Sequence, residues 1–393
     1  MSTLFHSRRF CGFGPSVFDP EPLPDVQDVT ARGPAKLRER LRKVCPRSAG
    51  VYGMIDPRGR LVYVGKAKCL RGRLLSYFRP NSRDPKAGRI LESTRRIVWE
   101  PAPSEFAALL RELELIRRFR PSYNVQGQPG RRRVAYVILS RPPAPHLSVA
   151  REPPANAIAA WGPVLGARRL VEAVRRVNDA FRLRDCETAQ SIRFADQRSL
   201  FPIIHSAGCL RQEIGTCSGP CNEGATRLEY TRQVRAARAF LDGRDTSLID
   251  KLDGEMRAFA HAQLYERAAA VRDKLTPLRW LDGRLAWLRD ARQSHSFVYP
   301  VCGDDGRTLW YLISRGQVRA AVAEPRNAGA RSAASRVLRD VFTGRNRSSL
   351  PMADQMDSIL LVTAWFRRHP DERVRLMLPD EALDRCSGAR VAG

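Results

Sequence analysis

Four residues close together in the sequence carry side chains suited to an anionic ligand. Tyr52 and Tyr63 supply phenolic hydroxyls, and Lys66 and Arg73 supply positive charge. Because amines, guanidinium groups and hydroxyls all donate hydrogen bonds to phosphate oxygens, this combination is typical of a phosphate-binding surface. The four residues would have to converge on one small surface, and the ligand that this set predicts is a phosphodiester.

The local sequence predicts elements that bring these side chains together. Val51–Ile55 and Leu61–Val64 are β-rich runs separated by Asp56, Pro57 and Gly59, which are turn formers, so a hairpin is expected. A helix is expected next, because three large apolar residues recur at a spacing of four: Leu70, Leu74 and Phe78. Lys66 and Arg73 then lie near the start of that helix.

A second helix is expected from Ser104, which can cap its N-terminus. It has one apolar stripe, formed by Phe106, Leu109, Leu110, Leu113 and Ile116. Glu112 lies beside this stripe, and a hard divalent cation prefers such a carboxylate ligand. The alternative is that Glu105, Glu112 and Glu114 form a solvated helix face, which is the usual fate of helical glutamates.

Four cysteines indicate a possible metal centre. Cys209, Cys217 and Cys221 form a Cys-x7-Cys-x3-Cys pattern with Cys186 upstream, and Gly215, Gly219 and Pro220 allow a tight backbone around them. Zinc and iron–sulfur clusters are both held by four cysteines, so the spacing leaves both open. Unrelated buried thiols are the remaining alternative.

Composition narrows the classes of partner. The chain has 393 residues, 68 Lys and Arg against 41 Asp and Glu, and a formal net charge of +27, which favours nucleic acid as a partner. An arginine-rich background composition is the competing explanation. No apolar run reaches 18 residues and the N-terminus has no hydrophobic signal region, so we expect a cytoplasmic protein without membrane contact.

The stretch from Gly50 to Phe78 resembles the GIY-YIG nucleases of the UvrC type. It contains Gly-Val-Tyr, then Tyr-Val-Gly-Lys-Ala-Lys and Leu-Arg-Gly-Arg-Leu, and ends in Ser-Tyr-Phe, with Tyr77 at the matching tyrosine. The later Pro-Ser-Tyr-Asn segment ending at Asn124 is similar to the same family. The resemblance implies metal-dependent incision of DNA in nucleotide excision repair.

The resemblance also implies roles for the site residues. Glu112 would bind one Mg²⁺ or Mn²⁺, and Arg73 and Lys66 would stabilise charge on the phosphoryl oxygens. Tyr63 or Tyr52 would position or deprotonate the water. Since a free phenol has a pKa of about 10, deprotonation requires nearby cations that favour the phenolate. Asn124 would orient the water or the residues behind it, and Tyr77 would be a further phosphate contact.

Two further features follow from the resemblance. The family carries a [4Fe-4S] cluster, for which Cys186, Cys209, Cys217 and Cys221 are the expected ligands, with zinc as the alternative. Residues 246–281 look like the UVR motif, a helical hairpin through which UvrC binds UvrB. The hairpin packing only against its own chain is the competing interpretation.

We therefore expect an α+β protein in five parts. These are a flexible lead-in (1–33), a GIY-YIG domain with a three-stranded antiparallel sheet (34–130), a linker region with the cysteines (131–225), a helical region with the UVR-like hairpin (226–281) and a small α+β region of unknown role (282–393). The last part shows no acidic triad and leaves little room for the RNase-H-like domain of a full UvrC. Asp304 and Asp305 there are expected to be turn residues.

The leading hypothesis is a truncated UvrC-type or Cho-like endonuclease recruited by a UvrB-like protein. A non-cutting adaptor that binds DNA or UvrB is a second hypothesis. A third is a stand-alone nuclease that acts without UvrB.

Overall fold

The structure is a computed structural model that describes residues 9–19, 26–79, 87–124, 134–186, 190–197, 209–304, 306–343 and 352–387. The chain divides into two units, of which one is Arg133–Asp290 and the other combines Met1–Arg132 with Ala291–Gly393. Within the described residues, no helix is both long enough and apolar enough to cross a membrane.

The first sheet is antiparallel and has the strand order β1-β4-β2-β3, which makes β3 an edge strand. Its strands are β1 (Gln27–Thr30), β2 (Gly50–Ile55), β3 (Leu61–Ala67) and β4 (Arg96–Pro101). The predicted hairpin is confirmed as β2 and β3. The sheet has four strands, however, so the expectation of three was wrong.

The additional strand, β1, lies in the segment expected to be a flexible lead-in. The Gln27 side-chain oxygen accepts a hydrogen bond from Trp99 Nε1 at 3.0 Å, and Asp28 pairs with Arg96 at 2.9 Å. Short polar strands that pair mainly through the backbone leave little hydrophobic pattern in the sequence. Residues 1–8 and 20–25 of the expected lead-in lie outside the described residues.

Helices cover both faces of this sheet. One face carries α1 (Pro34–Val44), α2 (Leu70–Ser76) and α3 (Ala87–Ser93), which pack on Tyr52, Met54, Ile97 and Trp99. The other face carries α4 (Glu105–Phe119), which packs on Val51, Val64 and Val98. Alternating side chains along each strand separate the two cores.

The unit Arg133–Asp290 contains a second antiparallel sheet with the order β6-β5-β7. Its elements are β5 (Val134–Leu139), β6 (Leu147–Ala150), β7 (Ala159–Leu165), α5 (Ala167–Ala180), α6 (Leu210–Glu213), α7 (Arg227–Leu241), α8 (Ser247–His261) and most of α9 (Tyr265–Ser294), whose residues from Ala291 onward belong to the other unit. Helix α9 continues well beyond position 281, where the hairpin was expected to end. Its apolar stripe continues through Leu278, Leu281 and Leu285, which belong to the core of this unit.

The C-terminal region forms a third antiparallel sheet with the order β10-β9-β8. Its elements are β8 (Phe297–Cys302), β9 (Thr308–Ser314), β10 (Gln317–Ala323), α10 (Ala328–Phe342), α11 (Met352–Arg368), a 3-10 helix (Pro370–Arg375) and α12 (Pro379–Ser387). Strands β8 and β9 pair as an antiparallel hairpin. Asp304 lies in the turn between them, and Asp305 lies outside the described residues.

Candidate active site

Three tyrosines and one arginine form a network between the first sheet and α2. The hydroxyls of Tyr52 and Tyr77 are 2.9 Å apart. Arg73 donates from Nε to the Tyr52 hydroxyl at 3.3 Å and from Nη2 to the Tyr77 hydroxyl at 3.5 Å. The Tyr63 ring lies 6.1 Å from that of Tyr52 and 6.3 Å from that of Tyr77, measured between centroids. Of the four residues predicted to converge, Tyr52, Tyr63 and Arg73 lie in this network, whereas the Lys66 ammonium group pairs with Glu105.

Gly65 makes room for this network. A Cβ atom at position 65 would lie 2.5 Å from the Tyr52 hydroxyl oxygen and 3.0 Å from Cε1 of Tyr63. Distances below 3.0 Å do not occur for real Cβ contacts, so any larger residue would displace the Tyr52 ring. The glycine that ends the Tyr-Val-Gly motif therefore has a packing role.

Burial controls the ionisation of the tyrosines. Tyr52 is fully buried, whereas Tyr63 is partly exposed. Burial raises the pKa of both phenols above the usual value, and neighbouring tyrosines add to this effect. Arg73 lowers both pKa values but does not offset burial. Arg73 by itself therefore does not favour the phenolate of either side chain.

Glu112 meets the network at the edge of the sheet. Its Oε1 accepts a hydrogen bond from the backbone N–H of Lys66 at 3.1 Å. Since β3 is an edge strand, this N–H points away from the sheet, and a carboxylate on α4 can reach it from the opposite face. Glu112 influences the pKa of Tyr63, and Arg73 influences that of Glu112, so the three side chains share one site.

The Glu112 carboxylate is short of compensating charge. Burial raises its pKa to about 7, although Lys66 and Arg73 act in the opposite direction. Within the described residues, its hydrogen bond to Lys66 uses Oε1 and leaves Oε2 available. A partly buried carboxylate of this kind is stabilised by an additional positive charge.

The other two glutamates of the expected solvated face are both paired. Glu105 Oε1 lies 3.1 Å from Lys66 Nζ. Glu114 pairs with Arg111 and with Arg118, each at 3.1 Å. The solvated-face alternative is therefore wrong. Glu105 was not singled out by the sequence analysis, although its position seven residues, or about two helical turns, before Glu112 places both on one side of α4.

Asn124 ties the chain that follows α4 to the edge of β3. Its Nδ2 donates to the Val64 carbonyl at 2.8 Å, and its Oδ1 accepts from the Val64 N–H at 2.9 Å. Next to it, the Tyr123 N–H donates to the Val62 carbonyl at 3.0 Å. Both ends of the Asn124 side chain are thus engaged with backbone, and this geometry gives Asn124 a positioning role beside Tyr63.

The residues present fit a single magnesium or manganese ion. Mg²⁺ is usually held by one or two carboxylates, with waters and substrate phosphates completing the shell. Glu112 offers one carboxylate oxygen beside basic groups that can hold a phosphate. Within the described part of the chain, no group of three or more His, Cys, Asp or Glu side chains is placed to hold a metal ion, so an all-protein cage is not formed there.

The four cysteines are neighbours without forming a ligand set. Burial raises the pKa values of Cys217 and Cys221, and the nearby Cys186 and Cys209 thiols raise that of Cys221 further. Two sulfur atoms accept hydrogen bonds, Cys217 Sγ from the Gly219 N–H at 3.4 Å and Cys186 Sγ from Arg184 Nε at 3.2 Å. In the described conformation the thiols are not arranged as metal ligands.

Two family models match the chain. The model of the UvrC-like GIY-YIG domain matches residues 48–125, which contain every residue of the site. The model of the middle domain of UvrC/Cho excinucleases matches residues 134–240, which contain the four cysteines. The chain therefore carries a UvrC-like GIY-YIG domain followed by a UvrC/Cho-type middle domain. Neither of these two matches extends over the C-terminal region.

Curated relatives of this chain are named UvrABC system protein C. That of Methanospirillum hungatei is 30% identical over 275 residues, which are 70% of this chain and 50% of the relative. That of Dictyoglomus thermophilum is 31% identical over 274 residues, covering 70% and 44%. That of Pseudomonas putida is 34% identical over 235 residues, covering 60% and 37%. The chain thus spans half or less of the length of these relatives.

A similar solved structure is the GIY-YIG N-terminal endonuclease domain of UvrC from Thermotoga maritima, bound to its catalytic divalent cation, magnesium. It is 34% identical, and the match covers 22% of this chain and 96% of that domain with a TM-score of 0.21.

Proposed function

We propose that this protein is a metal-dependent DNA endonuclease that makes a single incision in a damaged strand during nucleotide excision repair. The observation that best supports this is the position of Glu112 at the edge of β3, beside Tyr63 and within electrostatic reach of Arg73. The match to the UvrC-like GIY-YIG domain and the net charge of +27 support DNA as the substrate.

Glu112 would hold one Mg²⁺ or Mn²⁺ through its available oxygen. When bound, the cation would act as a Lewis acid and as a template for the phosphodiester. Lys66 contributes indirectly, because its backbone N–H fixes Glu112 and its ammonium group pairs with Glu105. Its charge is therefore only partly available to the phosphate.

Arg73 is the residue best placed to bind the phosphoryl oxygens. A guanidinium group has five N–H donors, and the hydroxyls of Tyr52 and Tyr77 engage only two of them. Those hydroxyls hold the arginine in place before the substrate arrives. Such fixed donors stabilise the charge that develops in the transition state. Tyr77, which is itself 4% exposed, supports Arg73 more than it contacts phosphate directly.

Tyr63 is the tyrosine best placed to contact the attacking water. Tyr52 is fully buried, and its hydroxyl is already bonded to Tyr77 and Arg73. Tyr63 is more exposed and lies near Glu112. As a neutral phenol it would orient the water through a hydrogen bond, and Asn124 would keep the strand carrying Tyr63 in place.

The test is an incision assay on a duplex with one site-specific lesion, in the presence of UvrA, UvrB and Mg²⁺. Glu112→Gln keeps the shape of the side chain and removes its charge, so cutting should fall by at least about 10²-fold. DNA binding should be retained. Glu105→Gln is the matched control on the same side of α4 and should keep most of the activity. Wild-type cutting by Glu112→Gln would remove Glu112 as the metal ligand.

The same assay separates the two competing functions. If the wild-type protein binds DNA and UvrB but does not nick the DNA with any divalent metal ion, it is an adaptor. A protein that nicks equally well without UvrB would be a stand-alone nuclease.

We also propose that α8 and the start of α9 recruit a UvrB-like protein. None of the α8 residues is buried, and Leu264 just before α9 and Tyr265 at its start are 43% and 68% exposed. Because later residues of α9 belong to a core, surface substitutions test this better than a deletion. Leu264→Ser with Tyr265→Ser should abolish UvrB-dependent cutting without lowering DNA binding, and unchanged cutting would contradict the proposal.

Finally, we propose that Cys186, Cys209, Cys217 and Cys221 hold a [4Fe-4S] cluster, or alternatively Zn²⁺, with a structural and DNA-positioning role. Their proximity and the hydrogen bonds to two of their sulfur atoms support this. Metal analysis and visible absorption of anaerobically purified protein would identify the group. Cys217→Ser should lose the bound metal group, whereas Cys302→Ser, at an exposed cysteine, should retain it.

A further inference from the structure

The C-terminal module, which we define as residues 297–387, belongs to the same unit as the first sheet. It shares a hydrophobic core with α4, the helix that carries Glu112. Helix α4 therefore has two packing partners. Ala108, Leu115 and Ile116 face the first sheet, whereas Phe106 and Leu110 face the C-terminal module.

Phe106 is the centre of the contact with the module. It is fully buried, and three aromatic side chains of the module surround it. Its ring centroid lies 5.1 Å from that of Tyr299, 5.0 Å from that of Tyr311 and 5.2 Å from that of Trp365. Edge-to-face and tilted aromatic contacts at this range are directional as well as apolar, so they restrict rotation and sliding of the helix.

Two polar contacts hold α4 near its ends. Before its first turn, the Pro103 carbonyl accepts a hydrogen bond from the Asp304 N–H at 2.8 Å. Near its C-terminus, Arg117 lies 3.9 Å from Asp357, and both side chains are largely buried. Glu112 lies between these two contacts in the sequence. The module thus holds the helix on either side of the candidate metal ligand.

Within the described residues, the carboxylate itself has only one hydrogen bond to the sheet, the 3.1 Å bond from Lys66. A single bond of this kind leaves the rest of the Glu112 carboxylate free to shift when α4 moves relative to the sheet. We propose that the C-terminal module is a positioning module, which holds α4 so that Glu112 stays aligned with Tyr63 and Arg73 for cation binding. This inference rests on the proposed function, because it assigns the module a role in the same site.

The experiment uses the full chain and compares three substitutions. Trp365→Leu removes a module ring that contacts Phe106, and Phe106→Leu removes the same contact from the side of α4. Trp310→Leu is the matched control, because Trp310 is a buried tryptophan of the same module, on β9, and packs with α10 and α12 in a core separate from the one that contains Phe106. Each variant is first checked for a cooperative unfolding transition.

Two readouts do not depend on cutting. Mn²⁺ binding, measured by electron paramagnetic resonance without DNA, should weaken about ten-fold in Trp365→Leu and Phe106→Leu, as expected when support for a metal ligand is lost. Backbone amides of residues 107–117 should exchange hydrogen faster in the same two variants. Trp310→Leu should leave both quantities near wild type. The Mg²⁺ concentration for half-maximal nicking should follow the Mn²⁺ affinity.

Wild-type Mn²⁺ affinity in Trp365→Leu and Phe106→Leu would overturn the inference. An equal loss in Trp310→Leu would also overturn it, because the module would then act only through general stability. Failure of the wild-type protein to nick DNA would instead refute the proposed function, and the binding and exchange measurements would still report on the positioning of α4.

Discussion

Substitution of Gly65 by alanine tests whether the tyrosine network must be placed as accurately as its packing suggests. The new Cβ would lie 2.5 Å from the Tyr52 hydroxyl oxygen, while ordinary contacts begin at 3.4 Å. The end of the Tyr52 ring must therefore retreat by about 0.9 Å, the difference between these two distances. Tyr52 is fully buried, so its neighbours must move with it.

This movement disturbs both hydrogen bonds of the Tyr52 hydroxyl, at 2.9 Å to Tyr77 and at 3.3 Å from Arg73. Misplacement of a site by about 1 Å lowers rates by about 10²-fold, and overpacking a core destabilises a protein by roughly 1–3 kcal/mol. We expect Gly65→Ala to show both effects. The initial rate of nicking at saturating Mg²⁺ should fall, and urea unfolding should show the loss of stability.

Gly72→Ala is the control for this experiment. Its Cβ would lie 3.5 Å from Cys69 Sγ, which is an ordinary contact. Gly72 is inside α2, where replacing glycine by alanine stabilises a helix by roughly 0.5–1 kcal/mol. Its nicking rate should match wild type. A folded Gly65→Ala protein that cuts at the wild-type rate would refute the reasoning, because the position of Tyr52 would then not matter to the reaction.

Two further predictions concern buried charges. Glu100→Gln removes the carboxylate that Arg111 binds at 2.9 Å, in an ion pair whose two side chains are each 4% exposed. The free energy of unfolding, measured in urea, should therefore fall by roughly 3–5 kcal/mol. Substitution of the exposed Glu39 by glutamine should leave the urea midpoint unchanged. An equal shift of the midpoint in Glu39→Gln and Glu100→Gln would contradict the argument. Although burial raises the pKa of Asp56, hydrogen bonds from Arg60 and other backbone groups lower it below its usual value. The stability advantage of wild type over Asp56→Asn should therefore be present at pH 7 and shrink as the pH falls below the usual aspartate pKa of 3.8, and a constant difference in urea midpoint would refute this.

Local pattern was enough to predict the elements that carry the site. Turn residues between two β-rich runs predicted β2 and β3, and Ser104 caps α4 as expected by accepting from the Ala107 N–H at 3.1 Å. Motif resemblance, rather than periodicity, singled out Glu112 from the other glutamates of α4. The contact between its carboxylate and the Lys66 backbone links residues 46 positions apart, and no local rule predicts it.

Long-range packing accounts for what the sequence did not reveal. The apolar stripe of α4 predicts which residues are buried, but not what they are buried against. Phe106 and Ile116 belong to the same stripe, yet Phe106 packs on the C-terminal module and Ile116 on the first sheet. Ionisation also depends on packing that the sequence does not reveal, because burial raises the pKa of Tyr52 by more than the adjacent Arg73 lowers it.

The way in which β3 is covered has a consequence for self-association. An edge strand with free backbone groups is a template onto which a strand of another molecule can add. Here the outward groups of Val62, Val64 and Lys66 are already bonded to Tyr123, Asn124 and Glu112. The contacts that assemble the candidate active site thus also prevent two copies of the protein from pairing edge to edge through β3. Loss of the contacts made by Tyr123 and Asn124 would open a route to aggregation and also loosen the strand that carries Tyr63.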